Sequence, residues 1–293
     1  MSAAPWMVSL HGGHSGTYCE HAEGDLEELL EAAVESGFHT FGVTEHAPRS
    51  QSRFVYSEEV DKGYDVDRLA SDFEAYAQRV FALAEEFADR LVVLRGFEVE
   101  VVPNTGYVEE MLELRQRHQF DYMVGSVHYV DEISIDGKPR SFQRAVQAHG
   151  SIEELAVRYY GLVTEMVRSL RPEVVGHLDL IRKNAGSEAV LDSPPIRRAA
   201  SEALAVVHDH GAILDLNTAG IRKGLGSPYP APWLVRAASE QGIPFCFGDD
   251  SHRPSEVGAG IAEARDYLLA NGVDTITHLA PSADGLEKKV VAL

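Results

Sequence analysis

The side chains able to do chemistry recur at intervals along the whole chain. His11, His14 and His21 come first, then Glu45 and His46, then Glu98 and Glu100. His128 follows, then His177 with Asp179, Asn217, and finally the run Asp249-Asp250-Ser251-His252. Imidazole and carboxylate together suit zinc, manganese or iron. Crowded into one place, such groups repel or stay partly protonated unless cations hold them. There are more donors than one ion needs, which predicts more than one divalent metal. Close-spaced metals bind phosphoryl oxygens and generate hydroxide at neutral pH, so hydrolysis of a phosphate ester is the chemistry indicated. A single buried histidine is more often a core residue with a hydrogen-bond partner; the recurrence is what points to metal. His39, His118, His149, His208, His210 and His278 fall outside the pattern and read as structural or surface histidines.

The elements that must position these donors alternate. Short apolar runs at Met7–Leu10, Thr40–Thr44, Leu91–Arg95, Tyr122–Val127, Val174–Gly176, Ile213–Leu216 and Pro244–Gly248 read as strands. Helical periods separate them. Leu26, Leu29, Leu30, Ala33 and Val34 form one apolar face, opened by an Asp25/Glu28 capping box and closed at Gly37. Phe73, Tyr76, Ala77, Val80, Phe81 and Ala84 form a second. Leu155, Tyr159, Leu162, Val163, Met166 and Leu170 form a third, opened by Ser151 and Glu154. Pro194-Pro195 opens a later helix; Gly211 and Gly242 each end one just before a strand. Repeated strand and helix predict a parallel sheet, and about seven units favour a closed barrel. In such a barrel all C-terminal strand ends open on one face, so the scattered donors can converge there. Neither a linker nor a repeat is visible, so one domain spanning 1–293 is expected. Arg49–Asp65 and Asp131–Gly150 read as long loops of the kind that cover substrate.

The bulk properties narrow the class. Of 293 residues, 44% are apolar and 25% charged, an ordinary globular balance, and the formal charge is −20. Such an acidic chain repels nucleic acid and anionic membranes, so neither is expected as a partner. Two cysteines, no signal-peptide pattern and no long apolar run suggest a cytoplasmic protein. Local cations must then attract an anionic substrate: Arg182 and Lys183 follow His177-Leu178-Asp179, and Arg222 and Lys223 follow Asn217. Arg49 and Arg253 read instead as partners of surface acids. Cys19 reads as buried filler. No G-x-S-x-G elbow, P-loop or dinucleotide fingerprint is present.

The residues resemble a known family. His14-Ser15-Gly16-Thr17-Tyr18-Cys19-Glu20-His21 and Thr44-Glu45-His46-Ala47-Pro48-Arg49 look like the polymerase-and-histidinol-phosphatase (PHP) family, and most of all its histidinol-phosphate phosphatase branch. The likeness continues in order through Gly96–Glu100, Gly125–His128, Gly176–Asp179, Asn217–Lys223 and Asp249–His252. It implies a distorted TIM-like (β/α)7 barrel with three divalent ions, zinc, manganese or iron. One would be held by the first histidine pair, His11 and His14, with Glu98 and Asp250; a second by His21, His46 and His252; a third by Glu98, His128 and His177. Arg182 and Arg222 fall where the branch contacts the substrate phosphate.

One departure stands out. The family opens with H-x-H, whereas this chain reads His11-Gly12-Gly13-His14, with Gly12 where the first ligand should stand. Either His11 reaches the ion through a shifted backbone, which two glycines permit, or that ion lacks a ligand. The expected activity is hydrolysis of L-histidinol phosphate to L-histidinol and phosphate, as in histidine biosynthesis, with a metal-bridging hydroxide attacking phosphorus. Asp250 or His252 would donate a proton to the leaving alkoxide; Arg182, Arg222 and Lys223 would face the phosphate, and Glu100 the substrate ammonium. The alternatives are another small phosphomonoester as substrate, or a catalytically weakened metal-binding homologue.

Overall fold

Each apolar run expected as a strand is one in the computed structural model, which describes residues 4–283 and 285–293. The strands are β1 (Val8–Ser9), β2 (Thr40–Val43), β3 (Val92–Glu98), β4 (Tyr122–Gly125), the short pair β5 (Tyr129–Val130) and β6 (Ile133–Ser134), β7 (Val174–Val175), β8 (Ile213–Asn217), β9 (Phe245–Gly248), β10 (Thr275–Ser282) and β11 (Gly285–Ala292). Seven of them form one sheet in the order β1-β2-β3-β4-β7-β8-β9, every neighbouring pair parallel. The ends of the sheet meet: Leu10 N donates to Phe247 O and Asp250 N to His11 O, both at 2.8 Å. The fold is therefore a distorted, nearly closed (β/α)7 barrel.

Period-two alternation sorts the strand residues between inside and outside. Leu10, Leu94, Tyr122, Val124, Val174, Ile213 and Cys246 pack together in the interior, where Leu279 of β10 joins them from below. Tyr122 spans this floor and donates to Leu10 O at 2.7 Å. Gly42 leaves it room, since a Cβ there would fall on the tyrosine oxygen. Continuing inward by twos above the floor, β3 presents Glu98 and β8 presents Asp215 and Asn217, all buried. The same alternation that makes an apolar floor thus makes a polar upper layer.

A second apolar layer lies between barrel and helices. The helix Leu26–Glu35 starts at the expected Asp25/Glu28 capping box, and Ile152–Leu170 starts with Ser151 accepting from Glu154 N. Pro194–Asp209 begins on its proline pair. Three expectations need correction. Phe81 is 45% exposed rather than part of a buried face; its ring lies under the Arg95 guanidinium, 4.5 Å away. The stretch Asp131–Gly150 holds β6 and the helix Pro139–His149, and Arg49–Asp65 holds a short helix, Ser57–Asp61. The helix Pro139–His149 buries only Phe142 and Ala145, and the five-residue helix Ser57–Asp61 buries only Glu59, so neither presents a long apolar run. Beyond the seven units, β10 and β11 form an antiparallel hairpin under the barrel. Among the described residues no helix is long and apolar enough to cross a membrane.

Candidate metal centre

Glu98, 1% exposed at the end of β3, is the hub of the upper layer. Its Oε1 lies 3.0 Å from His177 Nε2 and 3.3 Å from both His11 Nε2 and His128 Nε2, and its Oε2 lies 2.8 Å from His46 Nδ1. Burial would raise this carboxyl, but His128 and His11 hold it well below the usual range. His46 reaches it because the pairing of β2 with β3 runs on past the strands, with Glu98 N donating to Glu45 O and Ala47 N to Glu98 O.

The first histidine pair resolves the departure in spacing. A Cβ at position 12 would fall on Asp249 Oδ1 and touch Phe41 of the outer layer, so position 12 faces away from the site. His11 takes the inward direction, and Gly13, at φ +76°, turns the chain back. His14 Nε2 then lies 3.6 Å from Asp250 Oδ1 and its Nδ1 3.5 Å from Glu45 Oε2. The extra residue is absorbed as a local bulge, and both histidines point at the carboxylates.

Asp250 carries its carboxylate inward from a left-handed backbone, φ +47°, a conformation that costs of order 1 kcal/mol and persists only where surroundings impose it. Arg222 imposes it, donating to the carbonyls of Asp249 at 2.6 Å and Asp250 at 2.9 Å. Burial opposes ionisation of Asp250, but Lys223 and His11 hold it well below the usual range. His14 stacks between His46 and His252, with centroids 4.2 and 4.4 Å away, and His21 completes the group at its exposed rim.

These groups fit divalent ions. Buried nitrogens of His14 (both) and His177 (Nδ1) have no hydrogen-bond partner, and His11 Nε2 and His46 Nδ1 face only the shared Glu98 carboxylate. Burial and then His14 pull His46 down to about 3 and His252 well down, leaving the neutral imidazole that binds metal. In His11 and His128, desolvation is outweighed by facing carboxylates, which hold protons that a divalent ion would displace. Donor atoms lie within 4.8 Å of one another in the sets His11-His14-Glu98, His11-His177-Asp250, His14-Asp250-His252, Glu98-His128-His177 and Cys19-His21-His46-His252.

Comparison with known proteins agrees with this geometry. The model of the PHP domain matches residues 11–219. The chain belongs to the PHP family. Two relatives are each named "Probable histidinol-phosphatase". That of Schizosaccharomyces pombe is 32% identical over 95% of this chain and 91% of its own. That of Deinococcus radiodurans is 35% identical over 92% of this chain and 97% of its own. The fold matches a crystal structure of histidinol phosphate phosphatase from Lactococcus lactis, solved with zinc, L-histidinol and phosphate, with a TM-score of 0.70 at 18% identity, covering 96% of this chain and 99% of that one.

Around this PHP site the cations differ in availability. Arg182 is buried and bonds Asp179, Pro228 O and Ser227, and it pairs with Glu188. Arg222 is committed to the backbone around Asp250. Lys183 pairs with Asp136 at 2.6 Å. Lys223 is the one whose ammonium faces the cluster, 3.9 Å from Asp250 Oδ2; desolvation opposes its charge, but Asp250 and Asp136 outweigh it and raise its pKa. Arg49 pairs with Glu59 as expected, though inside the protein rather than on its surface, and Arg253 pairs with Glu23 and Glu256.

Some participants escaped the sequence. Asp215 bonds His11 Nδ1 at 2.7 Å; a lone carboxylate in the apolar run Ile213–Leu216 was its signal. Glu100, expected at the substrate ammonium, also supports the cluster in a way not expected: its Oε1 bonds His128 Nδ1 at 2.9 Å. Asp136 arrives over the mouth from the turn after β6, for which no local pattern speaks. The six histidines set aside stay outside the cluster: His39, for example, bonds Pro5 O and Thr40, and His149 bonds Ala145 O.

Proposed function

We propose that the protein hydrolyses L-histidinol phosphate to L-histidinol and phosphate. The observation that carries this is the convergence of the first histidine pair, His46, His128 and His177 on Glu98 in a chain whose near full-length relatives bear the histidinol-phosphatase name. We assign three divalent ions, zinc, manganese or iron. His11, His14, Glu98 and Asp250 would hold one; His21, His46 and His252 a second; Glu98, His128 and His177 a third. When bound, such ions act as Lewis acids toward phosphoryl oxygens and make water nucleophilic at neutral pH.

The chain's own groups divide the remaining work. Lys223, which faces Asp250 at 3.9 Å without a hydrogen bond, offers its ammonium to the phosphoryl oxygens at the cluster's edge. Arg182 and Arg222 reach a phosphate only by releasing acceptors they hold here. Asp250 or His252 is the candidate donor of a proton to the leaving alkoxide; His252 would give it from Nδ1, which faces Asp250 O at 3.0 Å. Glu100 keeps Oε2 buried and without a partner, and that oxygen is the candidate acceptor for the substrate ammonium. Two free buried cysteines support the cytoplasmic, reducing location, and one continuous barrel with its hairpin supports a single domain over 1–293.

The test is phosphate release by purified protein loaded with manganese, zinc or iron, from L-histidinol phosphate and a panel of other small phosphomonoesters. The highest kcat/KM is expected on histidinol phosphate. A higher value on another ester transfers the assignment to that ester, and no release from any overturns the reading.

A further inference from the structure

Cys19 is 6% exposed, and its sulfur lies at the rim of the histidine cluster. Its Sγ lies 3.4 Å from Nδ1 and 3.5 Å from Nε2 of His21. One donor atom each from Cys19, His21, His46 and His252 fall within 4.8 Å of one another. In a tetrahedral zinc site with Zn–S about 2.3 Å and Zn–N about 2.0–2.1 Å, the sulfur–nitrogen edge is about 3.5 Å. The Cys19–His21 separation thus matches one such edge, and the donors of His46 and His252 lie within 4.8 Å of both.

The backbone holds the sulfur there. Cys19 N donates to Ser15 O at 2.8 Å, and Ala22 N donates to Cys19 O at 3.2 Å, closing a turn over residues 15–22. Gly16 N to Gly24 O at 2.8 Å and Glu23 N to His252 O at 2.7 Å tie that turn to the loop after β9 that supplies His252. The other cysteine is a natural contrast: Cys246 lies in the apolar barrel floor with Leu10, Val174 and Ile213.

We propose that Cys19 is a fourth protein donor to the ion held by His21, His46 and His252, giving that ion a sulfur-and-three-nitrogen set. This rests on the divalent metal centre proposed above. On coordination the thiol proton passes to solvent and the thiolate bonds the ion; nothing is oxidised or reduced. A thiolate favours zinc over manganese or magnesium, so one ion of the centre would be held selectively while the sites built of imidazole and carboxylate stay permissive.

Cobalt(II) substitution of the full-length protein tests this independently of turnover. A near-ultraviolet sulfur-to-cobalt charge-transfer band is expected in the unaltered protein and in Cys246→Ser, and not in Cys19→Ser. Zinc affinity of one site should fall at least about ten-fold in Cys19→Ser, measured against a chromophoric chelator. Cobalt bound at full occupancy without the band overturns the role of Cys19 and leaves the metal centre standing. Failure to bind cobalt at all overturns both. If either variant does not fold, zinc-edge X-ray absorption of the unaltered protein decides by the presence or absence of sulfur in the shell.

Discussion

His11 and Asp215, 204 positions apart in the chain, meet at 2.7 Å between Nδ1 and Oδ2 on the inner face of the barrel. The contact presents His11 Nε2 to Glu98 and sets which nitrogen is free. Asp215 is itself tied by Asn217 Nδ2 at 2.9 Å and by the backbone amide of His177 at 3.3 Å, so one carboxylate orients the His11 ring and anchors the chain at His177. Asp215→Asn should keep the fold but weaken metal binding by about 10–100-fold, with a parallel loss of kcat/KM. Competition with a chelator measures the first; unchanged affinity would show that His11 needs no orienting partner.

The glycine pair gives a second expectation. Moving the histidine to the family spacing, His11→Ala with Gly12→His, should not restore a ligand, because position 12 faces Asp249 and Phe41. Gly12→Ala alone should already destabilise by about 1–3 kcal/mol through overpacking. Urea denaturation and metal analysis of both variants check this. A double variant with full metal content would mean that the bulge can relax.

Lys223 and Arg182 should separate by what they lose. Lys223→Ala removes a charge that donates no hydrogen bond but faces Asp250 at 3.9 Å, so it should cost less stability than Arg182→Ala while kcat/KM falls at least about ten-fold. Arg182→Ala leaves the buried Asp179 short of its partner and should cost about 3–5 kcal/mol. Paired kinetics and melting curves decide; the reverse pattern would make Arg182 the phosphate contact.

The hairpin that brings Asp136 to the mouth has its own pH dependence. Asp131, in the turn between β5 and β6, bonds Arg158 at 2.8 Å and His149 at 3.1 Å, and Arg158 first, then His149, lower its pKa. A lowered folded pKa stabilises above the unfolded value of about 3.9 and loses that stability as pH falls through the folded one. Asp131→Asn, which keeps the left-handed φ of +45° accessible, should melt below the parent at pH 7 and converge with it in acid. Melting curves from pH 7 down to the acid limit measure the gap; a gap that persists at all pH values would assign the effect to packing instead of charge.

Much of this site was present in local pattern. Strand positions follow from apolar runs between helical periods, and the caps at Asp25 and Ser151 follow from side chains bonding amides three residues on. The donors at strand ends were legible because zinc, manganese and iron demand few residue types. All of these depend on neighbours within a turn or two of the chain. What the tertiary structure decided depends on closure of the barrel. Only closure aims His11 rather than Gly12 inward and lays Asp215 against it. Closure also spends Arg182 and Arg222 on protein acceptors while turning the Lys223 ammonium toward Asp250, and it sets the Cys19 sulfur beside imidazoles drawn from different loops. Residue type says what a side chain can bind. Which partner it finds is fixed by strands distant in sequence, and no local period encodes that.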